Sequence, residues 1–508
     1  MLVKSRIFST TALTGLLLAQ SAAADITPAE VWDELHGYLE GFGYTVAATE
    51  TASGADVSVT GITIATVLPE NQGTVTVTVP DLTLVDLGDG SVSVEIASQS
   101  TMLISTEGAD SEEVDVEVGL SMTDMETIVS GAPGDIVITQ SAASVTASLL
   151  KLIVEGEEVG RDVVRVDMTM TDLASETTQS GDGMTVSDQV MTAGGLTYDL
   201  AFADPEGSGR GMLKGSISDL AFEGSTTIPE DFDETDPADM FRQGFAFDGG
   251  FEYAGGQSEF AFTEDDQTTN GKTSSDGGFF DIAVSAQSFL YSLGATGMSL
   301  DLFSPEIPLP IQANFEEAGL TISMPLAQSD APEPFEFDVT LGGFTMSDLL
   351  WNIFDPGQVL PRDPATIAVN ATGAVRLLLD VFDEAAMEAA GASDALPAEI
   401  DSLVLNTLTV EAAGASLTGT GAFTFDNTDT QTFDGLPRPI GSVDLSLIGG
   451  YGLLDKLVQL GFVPEQDAMG ARMMIGMFAV PGDTEDSLKS KVEINDQAHI
   501  LVNGQRIQ

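Results

Sequence analysis

Hydrophobic and polar residues alternate with a period of two along most of this chain. Thr74-Val75-Thr76-Val77-Thr78-Val79, Ser91-Val92-Ser93-Val94-Glu95-Ile96 and Glu113-Val114-Asp115-Val116-Glu117-Val118 alternate strictly, and Val164 to Met170 continues the theme. Successive side chains of a strand point to opposite faces, so these runs predict strands with one buried and one wet face, which favours antiparallel sheet. Gly88-Asp89-Gly90 and Asn270-Gly271 carry hairpin-turn chemistry between strand-like runs. No fixed repeat period occurs, which sets propellers and solenoids aside. The expected fold is mainly β: a large twisted antiparallel sheet system, with a few helices near the N-terminus and in the C-terminal half.

One helix is plain. Thr27-Pro28-Ala29-Glu30 is a capping box with Pro28 at the first helical position, and Val31, Leu35, Leu39 and Phe42 then form one apolar stripe beside Trp32. Gly41 and Gly43 end it. In the second half, Asp348 to Phe354, Asp383 to Ala390 (with Gly391 as C-cap), Leu453 to Leu460 and Asp467 to Phe478 read as short helices. Strands return at Lys489 to Ile494 and His499 to Val502, joined by a turn at Asn495-Asp496. Proline density from Phe303 to Pro310, and again at Pro325, Pro332 and Pro334, suits an edge or a connection. It divides the mature chain softly into 25–300 (helix plus antiparallel β region) and 301–508 (β region with short helices), with one continuous sheet as the alternative.

Residues 1–24 read as a secretory signal peptide: Lys4 and Arg6, an apolar stretch from Ile7 to Leu18, and Ala22-Ala23-Ala24 before Asp25. Cleavage after Ala24 and a periplasmic location are expected, with no transmembrane segment remaining. The 508 residues carry 80 Asp+Glu against 17 Lys+Arg, a net charge of −63, and no Cys. Losing Lys4 and Arg6 would take the charge to −65. So acidic a chain lacks the cationic surface that nucleic acid or anionic lipid requires. Without Cys it has no disulfide, lipidated cysteine or thiolate metal site.

The chemistry-bearing residues select no reaction. His36 and His499 are the two histidines, neither lies near a nucleophile elbow, and no G-x-S-x-G occurs. Carboxylate pairs are too numerous for any one to be singled out, and a sugar cleft would want more than the two Trp and six Tyr present. No enzyme activity, cofactor or metal is expected. The weak calcium candidates are Asp231, Asp233 and Asp236 in the run Glu230 to Asp239, which lacks the turn glycine and terminal glutamate of an EF-hand loop. A transmembrane β-barrel fits the export signal and the alternation. It fits poorly with 7% aromatics and with helices after residue 340.

Trp351-Asn352-Ile353-Phe354-Asp355-Pro356 followed by Leu360-Pro361-Arg362-Asp363-Pro364 resembles a segment of the exported alphaproteobacterial proteins grouped as DUF2125. The early Val31-Trp32 helix, Leu417 to Gly421, Pro437-Arg438-Pro439 and the terminal Asn503-Gly504-Gln505-Arg506 extend the resemblance over almost the whole mature chain. It implies lineage and location, but no activity. More distantly, the C-terminal organisation is similar to AsmA-like envelope proteins, which implies curved sheets with an apolar face.

Read physically, Pro356, Pro361 and Pro364 stiffen the loop leaving the Trp351 helix, and Arg362 is placed to pair with Asp355 or Asp363. A rigid corner is the first reading and a ligand-contacting loop the second. Met469, Met473 and Met477 share one helix face, which reads first as adaptable core. Trp351, Phe354, Asp355, Arg362, Asp363, Met469, Met473 and Met477 are therefore the ligand-contact candidates. The expected function is an exported, non-enzymatic envelope protein holding a lipid or other apolar ligand on a sheet face. The alternatives are a periplasmic interaction module and a calcium-binding β protein. The oligomeric state is left open.

Overall fold

The computed structural model describes residues 25–68, 73–108, 113–181, 184–205, 207–230, 237–392 and 397–507. The expected signal peptide and the calcium candidates Asp231, Asp233 and Asp236 lie outside the described residues.

Helix α1 (Pro28–Gly41) precedes β1 (Thr45–Ser53), β2 (Asp56–Val67), β3 (Thr74–Thr78), β4 (Leu82–Asp86), β5 (Ser91–Ile96) and β6 (Gln99–Glu107). Next come β7 (Val114–Thr123), β8 (Glu126–Ala132), β9 (Asp135–Val154), β10 (Glu157–Val159), β11 (Val164–Ser180), β12 (Met184–Ala203) and β13 (Arg210–Pro229). After the short α2 (Pro237–Arg242) follow β14 (Ala246–Tyr253), β15 (Gly255–Glu264), β16 (Gln267–Ser275), β17 (Gly277–Ser285), β18 (Ser288–Ser304), β19 (Ile307–Pro325) and β20 (Glu333–Met346). The rest is α3 (Asp348–Phe354), β21 (Ala365–Leu377), α4 (Glu384–Ala392), β22 (Ala398–Ala412), β23 (Ala415–Asp426) and β24 (Arg438–Ile448). Helices α5 (Gly450–Gln459) and α6 (Glu465–Phe478) lead to β25 (Val480–Pro481), β26 (Ser487–Ile494), β27 (Ile500–Val502) and β28 (Gln505–Arg506). Among the described residues no helix is long and apolar enough to cross a membrane.

All 28 strands of the described residues belong to one antiparallel sheet, as the alternation predicts. From β9 the ladder runs through β11, β12 and β13, divides across β14–β17 and β15–β16, and reunites on β18. It then passes in chain order from β19 to β24 and on to β26 and β27. In the other direction β9 leads through β7 and β8 back to β2 and β1. Within the long strands the backbone turns left-handed at Asp172, Asp219, Gly297 and Gly343. The ladders skip the pair at each of these positions and resume in the same register, and aspartate is one of the few side chains that tolerates the conformation.

The capping box forms as the sequence predicts: Thr27 N–H donates to Glu30 Oε2 at 2.9 Å, and Glu30 N–H to Thr27 Oγ1 at 3.4 Å. Val31 and Trp32 are buried against Val57, Leu84, Val92, Val129 and Ile136, which form the main core. The one cluster of large buried apolar side chains lies at this end among the described residues. The accessible surface is 29202 Å², against about 18,000 Å² for a compact monomer of 53.0 kDa. Most of the sheet is therefore a single layer.

Two local expectations need correcting. Asn270 and Gly271 lie inside β16; the turn is Asp265-Asp266, both with positive φ as a two-residue hairpin requires. Gly271 instead lies under the Phe260 ring, where a Cβ would come within 2.6 Å of Cζ. Helix α4 runs through Gly391 to Ala392 rather than stopping before it. The proline-rich stretch is a connection and an edge, as expected: Pro305 lies in the turn between β18 and β19, and Pro308 and Pro310 lie in β19 ahead of Ala313, where its pairing with β20 begins.

Candidate ligand-binding face

Register, more than any motif, assembles the candidate site. Met191 on β12 pairs with Phe222, Phe222 with Phe251, Phe251 with Phe280, and Phe280 with Leu293 on β18. The row continues through Leu320, Val339, Val369, Leu408 and Gly419 to Leu445 on β24. Paired residues of neighbouring strands share a face. Ten strand-to-strand steps of about 4.8 Å make an apolar row about 48 Å long.

The same face is covered at its N-terminal end. Gln189, two residues before Met191, pairs with Thr177, and the row runs on through Ile138 and Val129 to Val92, beneath α1. Beyond that helix the cover ends. Among the described residues no Val, Ile, Leu, Met or Phe of β14 to β24 is fully buried, and Phe251 is 40% exposed.

The opposite face is polar in the same registers. Asp281, Ser292, Thr321, Asp338, Asn370 and Thr407 form the neighbouring row. Ser292 Oγ and Thr321 Oγ1 are 2.7 Å apart, Asn370 Nδ2 donates to Asp338 Oδ2 at 2.5 Å, and Asn406 Nδ2 to Asn370 Oδ1 at 2.8 Å. Glu252 lies on this side, and its carboxyl is raised above the ordinary glutamate range by burial first and by Asp281 and Glu223 second. The face is thus satisfied by its own hydrogen bonds and carries the acidic charge.

Four of the candidates read from the sequence, Trp351, Phe354, Asp355 and Arg362, cluster around α3. Trp351 and Phe354 meet in a tilted pair, 5.1 Å between ring centroids, and Phe354 reaches Phe462, in the α5–α6 connection, at 6.5 Å. Asp355 is fully buried and accepts the amides of Val359 at 2.9 Å and Leu360 at 2.8 Å. Arg362 pairs with neither Asp355 nor Asp363. Its guanidinium meets the Asp348 carboxylate and Asn352 Oδ1 (2.7 Å), and lies 5.9 Å above the Trp351 ring. The local partner is won by α3, which turns Asp348 and Asn352 toward the returning loop, while the backbone takes Asp355. Asp363 is exposed.

The methionine stripe is not core: Met469, Met473 and Met477 are 65%, 68% and 63% exposed. Of the two histidines, His36 lies on α1, 3.5 Å from Glu40, and His499 precedes β27, its amide bonded to Asn495 Oδ1. Sequence reading missed the cross-strand row entirely. The alternation announced apolar faces, but only register shows which residues stand side by side.

A family model described as an uncharacterized protein conserved in bacteria (DUF2125) matches residues 236–497, from α2 to the turn after β26. That span holds most of the open row and all of α3, α5 and α6, while the α1 motif falls outside it. No curated protein matches the chain. Among solved structures the chain is similar to BauA, the ferric preacinetobactin receptor from Acinetobacter baumannii, at 10% identity over 91% of this chain and 78% of that one. The TM-score of 0.12 gives that likeness no weight.

Proposed function

For a chain that belongs to the DUF2125 family, we propose an exported, non-enzymatic envelope protein that holds a lipid acyl chain or similar apolar ligand on its sheet. The observation that carries the reading is the row from Met191 to Leu445, apolar, about 48 Å long and half-open on the very face that α1 buries at the other end. An apolar sheet face requires a cover, and a ligand chain is one. Its length exceeds a single extended acyl chain of about 20 Å, so the face suits a long or a sliding ligand rather than one closed pocket. Export is supported by the signal-like residues 1–24, and an acidic outer face keeps such a protein dispersed.

The test pairs substitutions on the two faces of one strand. A fluorescent fatty acid should bind the purified mature protein saturably. Phe251→Asp should weaken binding at least about tenfold, which is 1.4 kcal/mol. Asp248→Asn, an odd number of residues away on the polar face of β14, should leave it unchanged. Equal effects of the two, or no saturable binding at all, would remove the proposal.

A further inference from the structure

Helices α5 and α6 stand between β24 and β26, at the end of the apolar row opposite α1. They expose the largest apolar side chains of this part of the molecule: Phe462 at 52%, Met469 at 65%, Met473 at 68% and Met477 at 63%. The three methionines recur at i, i+4 and i+8 and so line one side of α6. From Gly449 to Pro481 only Asp455, Lys456, Glu465, Asp467 and Arg472 are charged, and Arg472 closes an ion pair with Asp455 across the two helices. On a chain of net charge −63 this is a nearly neutral, greasy projection.

We propose that the α5–α6 pair is a docking element for an electrically neutral lipid bilayer, inserting Phe462, Met469, Met473 and Met477 among the acyl chains. Charge decides the occupant. A second copy would bring another strongly negative surface against this one, whereas a zwitterionic headgroup layer imposes no such repulsion. Flexible thioethers accommodate a fluid, irregular partner better than branched side chains do. Apolar insertion of a helix face, without a basic stripe, gives binding that salt does not weaken. The helix pair would give the acyl-binding face a loading point, but the docking stands on its own exposed residues.

The full mature chain is mixed with phosphatidylcholine vesicles and floated. The natural protein should rise with the vesicles at low and at high salt. The triple variant Met469→Ser, Met473→Ser, Met477→Ser should lose at least about tenfold in partitioning. Because each side chain is mostly exposed, its melting temperature should not change; Phe462→Ser provides a second variant if it does. The absence of Cys allows a single environment-sensitive dye at Met473→Cys, which should shift to the blue on vesicles.

A natural protein that does not float, a triple variant that floats equally well, or sedimentation showing a dimer that the triple variant dissolves would each overturn the docking. The two proposals separate cleanly. The triple variant should still bind a soluble fatty acid, and Phe251→Asp should still float.

Discussion

Removing the Trp32 side chain should uncouple α1 from the sheet without unfolding the sheet. Trp32 is 4% exposed and shares with Ile26 and Val31 the task of anchoring the helix over Val57, Leu84 and Val92. Truncating a buried aromatic to alanine costs about 3–5 kcal/mol in lost transfer energy and residual cavity. What else holds α1 is Ile26, Pro28, Val31 and Leu35 against the core, Tyr38 hydrogen-bonded to Ser187, and the Gly134 amide donating to Glu34 Oε1 at 2.7 Å, an exposed bond contributing about 1 kcal/mol. A 14-residue helix is marginal without tertiary support. The loss removes the largest single anchor of the helix, and opening should be local.

Hydrogen exchange followed by mass spectrometry is the suitable assay for Trp32→Ala. Amides of α1, together with those of β4 and β5 around Leu84 and Val92, should lose protection by orders of magnitude, while β18 to β24 keep theirs. Because α1 covers the same face that continues as the open row, the variant should also take up more fatty acid per chain. Uniform loss of protection across the sheet would refute the reasoning, since it would make α1 part of one cooperative core. Unchanged exchange in α1 would refute it equally.

Asp355→Ala should destabilise the corner after α3 by about 1–3 kcal/mol for each of the two amides left bare, whereas Asp363→Ala should be nearly neutral; thermal denaturation distinguishes them. Glu252 offers a pH test. A folded carboxyl raised above its unfolded value contributes stability that is present below the unfolded pKa, about 4.3, and is lost as pH rises through the folded one. Glu252→Gln should therefore raise the melting temperature at neutral pH and leave it unchanged in acid; a difference that grows toward low pH would contradict the assignment.

Local chemistry was legible in the sequence wherever a residue's neighbours in the chain are also its neighbours in space. The capping box at Thr27 and Glu30, the Gly88-Asp89-Gly90 turn and the helix at 348–354 all depend on contacts within a few positions, so pattern alone determined them. Alternation likewise determined that strands would be antiparallel and two-faced. It could not determine which strand meets which. Asn270-Gly271 had turn composition, but the Asp265-Asp266 hairpin and the Phe260 ring over Gly271 claimed the register. Arg362 had acids two sequence neighbours could offer, yet the fold had already committed Asp355 to backbone amides and swung Asp348 into reach. The methionine stripe had the period of a core helix, and only the missing cover shows that it faces outward. Above all, the apolar row joins residues from Met191 to Leu445. Contacts that distant are set by strand register and by where α1 stops covering the sheet, quantities that exist only once the chain is folded.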